Sequence, residues 1–181
     1  GHMLNAVGLP GPGVKWFFEQ RRWEERTKPF FLSFMSIEEG ELAVKEMEEF
    51  RNLIRLWKPR FRTDFGLQIN ISCPNVGADL RAAAHDAHVA LEIFETLGIP
   101  LVLKFGTDAP TAMIRRAAEH PACDAVIIAN TIPWGDRAIN WHHLFGSGIS
   151  PLAKYGGGGL SGAPCLPVVC DRVRGAEGRR I

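Results

Sequence analysis

Short apolar runs alternate with helical patterns along most of this chain. The runs at residues 30–35, 65–71, 100–105 and 125–129 predict strands, because each is continuously apolar and only a few residues long. The intervening segments at 36–58, 82–97 and 108–118 place apolar residues at helical spacing, with charged residues between them. Continuous apolar runs are typical of strands that are buried on both faces of a parallel sheet. The pattern therefore predicts an α/β fold.

Two helix starts carry capping signals. Ser36 with Glu39 three residues later predicts a capping box, and the helix that follows should end before Pro59. Asp108 is expected to cap the helix that runs through Ala118, with Pro110 in its first turn.

The βα spacing suits a (β/α)8 barrel of the TIM type, which usually takes about 250 residues. Only four clear units are present, so we expect an incomplete barrel of roughly the central four to five βα units. Residues 4–7 are expected to be the tail of an earlier strand, and residues 178–181 the start of a later one. Residues 1–3 resemble the remnant of an expression tag, which leaves 4–181 as one partial barrel domain.

The pattern breaks down between residues 134 and 159, where glycines and prolines punctuate the chain. A loop of this length is expected to be a functional lid or disordered. Glycine-rich backbone before a helix can bring N–H groups close to an anion or a ring edge, and the glycines at 156–159 are a candidate for this arrangement. A flexible loop is the alternative for that segment.

Composition narrows the classes of function. The 181 residues are 46% hydrophobic, with 21 basic and 20 acidic residues, so nothing indicates a nucleic-acid partner. No apolar run approaches the ~20 residues that span a bilayer. The four cysteines form no CxxC pair, which argues against a zinc site, and the reducing cytosol is the simplest compartment. His85 and His88 are expected to lie on the protein surface.

Polar residues stand at the ends of three consecutive predicted strands. The carboxyl ends of parallel barrel strands open onto one rim, so these side chains are expected to converge on a single ligand. A thiol between carboxamides suits an enzyme that moves a proton on a flat polar heterocycle. The residues are Asn70, Cys73, Lys104, Asn130 and Thr131.

Each of these residues has a plainer interpretation. Cys73 could be a buried structural cysteine between the turn-forming residues Asn70 and Asn75. Lys104 could extend to solvent, and Asn130 with Thr131 could form an ordinary turn. The repetition at successive strand ends favours the functional interpretation.

Four motifs resemble, in this order, those of the dihydroorotate dehydrogenase family. They are NISCPN (70–75), LVLKF (101–105), AVIIANT (125–131) and GGGGLSG (156–162). The opening LNAVGLPGPG (4–13) is similar to the stretch that follows the second barrel strand of that family.

The resemblance implies a barrel that binds flavin mononucleotide (FMN) and oxidises dihydroorotate to orotate in pyrimidine biosynthesis. Cys73 matches the catalytic base of the soluble class of the family, and its reference pKa of about 8.5 suits that role. Lys104 matches the lysine at the flavin ring, and Gly158 and Gly159 match glycines that line the flavin. The residues that match positions holding the pyrimidine ring are Asn5, Asn70, Asn75, Asn130 and Thr131.

The chain also departs from the family pattern. The family's upstream lysine would precede Leu4, and its last two strands, whose loops hold the flavin phosphate, would follow Ile181. The run from Phe105 to Thr107 lacks the usual proline after the strand lysine. The resemblance therefore implies a fragment that binds flavin weakly or not at all.

Two alternatives remain open at this stage. One is a flavin module like that of dihydropyrimidine dehydrogenase, which shares the barrel and the cysteine base. The other is a non-catalytic fragment that pairs its exposed sheet edges with a second copy. For the leading interpretation we expect a cytoplasmic homo-oligomer that acts on a small pyrimidine.

Overall fold

The computed structural model describes residues 1–8, 11–71 and 80–177. The strands in this part of the chain are β1 (His2–Asn5), β2 (Phe30–Phe34), β3 (Phe65–Asn70), β4 (Leu101–Phe105), β5 (Ala125–Ile128), β6 (Ile132–Pro133) and β7 (Gly159–Gly162). The helices are α1 (Val14–Glu19), α2 (Gly40–Trp57), α3 (Leu80–Glu95), α4 (Thr111–Ala118), α5 (Trp141–Phe145) and α6 (Leu166–Glu177).

Strands β2, β3, β4 and β5 form a parallel sheet in which the spatial order equals the order along the chain. Each lies within two residues of its predicted bounds, because continuous apolar runs of this length have few other stable conformations. The prediction of an α/β fold with a parallel sheet is confirmed, and in the described residues the sheet does not close into a barrel.

One face of the parallel sheet packs against helices. Leu32, Leu67 and Leu101 lie side by side on β2, β3 and β4, and all three are buried in the main hydrophobic core. Helices α2, α3, α4 and α6 contact one another in that order along the chain. Alternation along the strands turns every second residue away from this core.

We call the other side of the parallel sheet the open face. Its polar side chains lie in two of the rows of residues that are in register across the strands. The rows are Ser33–Gln68–Val102–Ala125 and Asn70–Lys104–Ile127. The open face is therefore partly polar, whereas the opposite face is apolar throughout the same strands.

Strands β1, β6 and β7 form a separate antiparallel sheet in the order β1-β7-β6. Residues 4–7 were expected to be the end of an earlier strand, and their first two residues do lie in a strand. That strand pairs antiparallel with β7 and does not extend the parallel sheet. The glycine run also differs from a flexible loop, since Gly159 begins β7.

The segment from 134 to 159 is not the structureless lid that its composition predicts. Asn140 caps the short helix α5, its side chain accepting a hydrogen bond from the His143 N–H at 3.0 Å. Trp134, Trp141 and Phe145 pack as an aromatic cluster under the antiparallel sheet. These aromatic residues form a local hydrophobic core, which the many glycines and prolines of the segment do not indicate.

The two predicted caps are wrong. Helix α2 begins at Gly40, and neither Ser36 nor Glu39 makes a capping bond. The Ser36 hydroxyl instead donates to the Glu46 carboxylate at 2.5 Å, and the Ile37 N–H donates to the same oxygen at 3.0 Å. Helix α4 begins at Thr111 without a side-chain cap, so Asp108 does not cap it.

His88 was expected on the surface but is partly buried, because α3 packs on α4 at this point. Its ring meets the His120 ring edge-to-face, with centroids 5.2 Å apart.

Candidate active site

Asn70 and Lys104 lie directly opposite each other on neighbouring strands of the open face. Asn70 is the last residue of β3, and the Ile71 N–H extends the ladder by donating to the Lys104 carbonyl at 2.8 Å. Both side chains are half-buried. Because ligands bind outside the carboxyl ends of parallel strands, this pair occupies the expected position for a site.

Ser33 in β2 and Met35, which follows the end of β2, accept hydrogen bonds from two carboxamides on β3. The Gln68 amide donates to the Ser33 hydroxyl at 2.7 Å, and the Asn70 amide donates to the Met35 thioether at 3.4 Å. Sequence reasoning missed Ser33, Met35 and Gln68. The period of two along a strand could have found Gln68, since it lies two residues before Asn70 on the same face.

A groove of about 630 Å³ runs along β2 and reaches Asn70. Ser33 and Met35 line it from the open face, and Phe17, Trp23 and Arg26 are among its other walls. Its size falls within the range for small-molecule sites. A second groove, of about 540 Å³, lies at the amino ends of β3 and β4, away from the strand-end residues.

Asn130 and Thr131 lie in the connection between the two sheets. The Ala129 N–H still donates to the Phe105 carbonyl of β4 at 3.2 Å, and β6 begins at Ile132. The Asn130 side chain is exposed and accepts a hydrogen bond from the Thr131 N–H at 2.8 Å. These residues therefore follow the fourth parallel strand, as predicted, but they lead into the antiparallel sheet.

Asn5, Thr131, Gly158 and Gly159 come together at that antiparallel sheet. Asn5 is the register partner of Gly159. A Cβ on Gly158 would lie 2.8 Å from the Asn5 carbonyl oxygen, and one on Gly159 would lie 2.6 Å from the Thr131 Cβ. The two glycines are thus needed for the close approach of three chain segments.

The remaining two candidate residues, Cys73 and Asn75, lie outside the described residues. Among the described thiols, burial raises the pKa of Cys123 and of Cys165. The Cys165 thiol also donates to the Leu160 carbonyl at 3.2 Å. A raised pKa keeps a thiol protonated at neutral pH, so these two are poor candidates for a base.

Within the described ranges, no group of three or more His, Cys, Asp or Glu side chains could hold a metal ion. No helix there is long and apolar enough to cross a membrane.

Comparison of the sequence with known proteins shows the family of this chain. The sequence model described as dihydroorotate dehydrogenase matches residues 1–179. The chain belongs to the dihydroorotate dehydrogenase family. The matched range includes the parallel sheet, the antiparallel sheet and every candidate residue discussed above.

Several curated relatives are catalytic subunits of dihydroorotate dehydrogenase B (NAD(+)). The protein from Caldicellulosiruptor saccharolyticus is 27% identical over 178 residues, which cover 96% of this chain and 54% of the relative. That from Lachnoclostridium phytofermentans is 28% identical over 178 residues, with the same coverage of both chains. That from Archaeoglobus fulgidus is 26% identical over 176 residues, 94% of this chain and 54% of the relative. The chain thus spans about half the length of the relatives it matches.

Proposed function

We propose that this chain supplies substrate-facing and flavin-facing residues for the oxidation of dihydroorotate to orotate, a step of pyrimidine biosynthesis. The observation that carries the proposal is the in-register pair of Asn70 and Lys104 on the open face, in a chain of the dihydroorotate dehydrogenase family. The pair offers a carboxamide and a cation side by side at the carboxyl end of the sheet. A carboxamide can both donate to ring carbonyls and accept from ring N–H groups.

We further propose that the four parallel strands are consecutive strands of a (β/α)8 barrel, with the open face towards its interior. Two observations support this: the strands are neighbours in chain order, and the helices that contact one another lie on one side of the sheet. A doubly wound sheet would reverse its strand order and carry helices on both faces.

The residues present fit FMN at Lys104 more clearly than at the glycines. Lys104 is half-buried on a polar face, and a lysine there can stabilise negative charge on a reduced flavin ring. At Gly158 and Gly159, by contrast, the space beside each Cα is filled by Asn5, Leu152 and Thr131. When bound, FMN would supply the hydride acceptor. Weak binding of FMN to this chain remains a prediction.

In this proposal the side chains divide the work on the substrate ring. Cys73 removes the proton from ring C5 as the hydride leaves C6, and a general base of this kind contributes about 10²–10⁴-fold to rate. Asn5, Asn70, Asn75, Asn130 and Thr131 hold the ring. Cytoplasmic location and a homo-oligomeric state remain predictions.

An anaerobic assay tests the proposal. The 181-residue chain is mixed with excess FMN and dihydroorotate, and the loss of visible flavin absorbance is followed. We expect flavin reduction that depends on the chain and that falls at least a hundredfold in Cys73→Ala but not in Cys170→Ala. Reduction by dihydrouracil in place of dihydroorotate would favour the dihydropyrimidine dehydrogenase-like alternative. Equal rates with and without the chain would contradict both.

A further inference from the structure

Strand β3 presents two carboxamides on the open face, two residues apart, and both donate towards β2. Gln68 donates to Ser33 at 2.7 Å, and Asn70 donates to Met35 at 3.4 Å. The register pairs Ser33 with Gln68, and Met35 follows β2 where it comes alongside Asn70. Ser33 and Met35, two residues apart, therefore provide acceptors for the side-chain amides of Gln68 and Asn70, which are also two residues apart.

The two acceptors differ in strength. The Ser33 hydroxyl is a full hydrogen-bond acceptor, whereas the Met35 thioether is a weak one. A carboxamide can face the sulfur with either its NH₂ group or its carbonyl oxygen. Even a weak acceptor favours the first orientation, because the NH₂ group can donate to sulfur, whereas the carbonyl oxygen cannot.

Met35 is placed to act on a ligand site. It lines the groove that reaches Asn70, and both side chains are half-buried, so neither is fixed by tight packing alone. Asn70 in turn stands beside Lys104. The contact with Met35 is thus one of the interactions that orient a polar group facing the proposed ligand.

We propose that Met35 is a positioning residue, whose thioether contributes to the orientation of the Asn70 carboxamide for binding of a planar, carbonyl-bearing pyrimidine. The contact itself rests on the geometry of the described residues. The identity of the ligand rests on the proposed function.

The first test uses the 181-residue chain without ligand. Met35→Leu keeps the side-chain volume but removes the acceptor, and Met35→Gln supplies a carbonyl oxygen in its place. Met113→Leu, in the buried face of α4, is the matched control. In ¹⁵N NMR spectra, we expect Met35→Leu to shift the Asn70 side-chain amide signals and to speed their exchange with water. Met35→Gln should restore slow exchange, and Met113→Leu should leave the signals unchanged. Unchanged Asn70 amide signals in Met35→Leu would overturn the proposal.

The second test titrates the same variants with orotate in the presence of FMN. We expect Met35→Leu to weaken orotate binding about three- to tenfold, and Met35→Gln to restore it. Equal affinity in the wild type and in Met35→Leu would overturn the role of Met35 in binding. If the wild type binds no orotate, the proposed function fails, while the amide signals of the first test still decide whether Met35 positions Asn70.

Discussion

The side chain of Thr131 occupies the space in which any side chain at residue 159 would have to lie. A Cβ on Gly159 would come within 2.6 Å of the Thr131 Cβ and would overlap its hydroxyl oxygen. Thr131 ends the connection that leaves the parallel sheet, and Gly159 begins β7. This contact therefore packs the end of the connection from the parallel sheet against the first residue of β7.

The contact predicts a specific pattern of stability. Gly159→Ala should lower the free energy of unfolding by about 1–3 kcal/mol, because Gly159 is paired within β7 and Thr131 directly precedes the paired residue Ile132. Adding Thr131→Gly should restore most of the loss, since it removes both clashing atoms. Adding Thr131→Ala should restore little, because the Cβ remains.

Denaturant unfolding measures these differences, and Gly148→Ala is the matched control. Nothing lies within 4 Å of a Cβ at Gly148, so that substitution should change stability by less than about 0.5 kcal/mol. An equal effect of Ala at 148 and at 159 would show that the overlap is not real.

The bond network at the start of α2 makes a second prediction. Glu46 accepts from both Ser36 and Ile37 with one oxygen, so Glu46→Gln, which keeps an acceptor oxygen but removes its charge, should cost about 0.5–1.5 kcal/mol of unfolding free energy. Glu49→Gln on the exposed side of the same helix is the control, and we expect it to be near neutral. Thermal unfolding of the two variants compares them, and equal midpoints would contradict the assignment.

Lys104 makes a prediction about rate. If its charge stabilises the reduced flavin ring, Lys104→Met should slow flavin reduction by dihydroorotate about 10²-fold, whereas Lys104→Arg should retain part of the rate. Lys45→Met, on the exposed surface of α2, should leave the rate unchanged. Stopped-flow absorbance under anaerobic conditions is the measurement. A Lys104→Met variant as fast as the wild type would remove Lys104 from the site.

The described cysteines make a prediction about pH. Burial raises the pKa of Cys165, so only a small fraction of it is thiolate at neutral pH, and the thiolate alone reacts with iodoacetamide. Its labelling should be slower than that of a free thiol at pH 7 and should rise as pH increases into the alkaline range. Peptide mass spectrometry reads each site separately. Labelling of Cys165 at the rate of free cysteine at neutral pH would contradict this.

The sequence predicted the parallel sheet well, for a physical reason. Leu67, Leu101 and their neighbours are buried in continuous apolar runs that leave few other conformations. The antiparallel sheet escaped prediction because β6 has two residues and β7 is half glycine, so neither shows a periodic signal. The cap at Ser36 failed because its hydroxyl found Glu46, ten residues away, which local pattern cannot foresee.

Some features of the candidate site could also be predicted from the sequence, and others could not. Asn70 and Lys104 could be predicted as neighbours, since strand ends of a parallel sheet share one edge. The contact of Asn70 with Met35 could not, because it depends on the register between β2 and β3. Register depends on how the apolar patterns of both strands pack on the core, so it does not follow from either strand alone.

An orotate titration of the ¹⁵N-labelled 181-residue chain, with FMN present, tests directly whether the strand-end residues bind the substrate ring. If the proposed site is correct, saturable shifts should occur at the side-chain amides of Asn70 and Asn130 and at the backbone amides of Lys104 and Thr131. Lys104→Met should weaken these shifts, whereas Lys45→Met should not. Shifts confined to the groove at the amino ends of β3 and β4, or no saturable shifts at all, would contradict the proposed site.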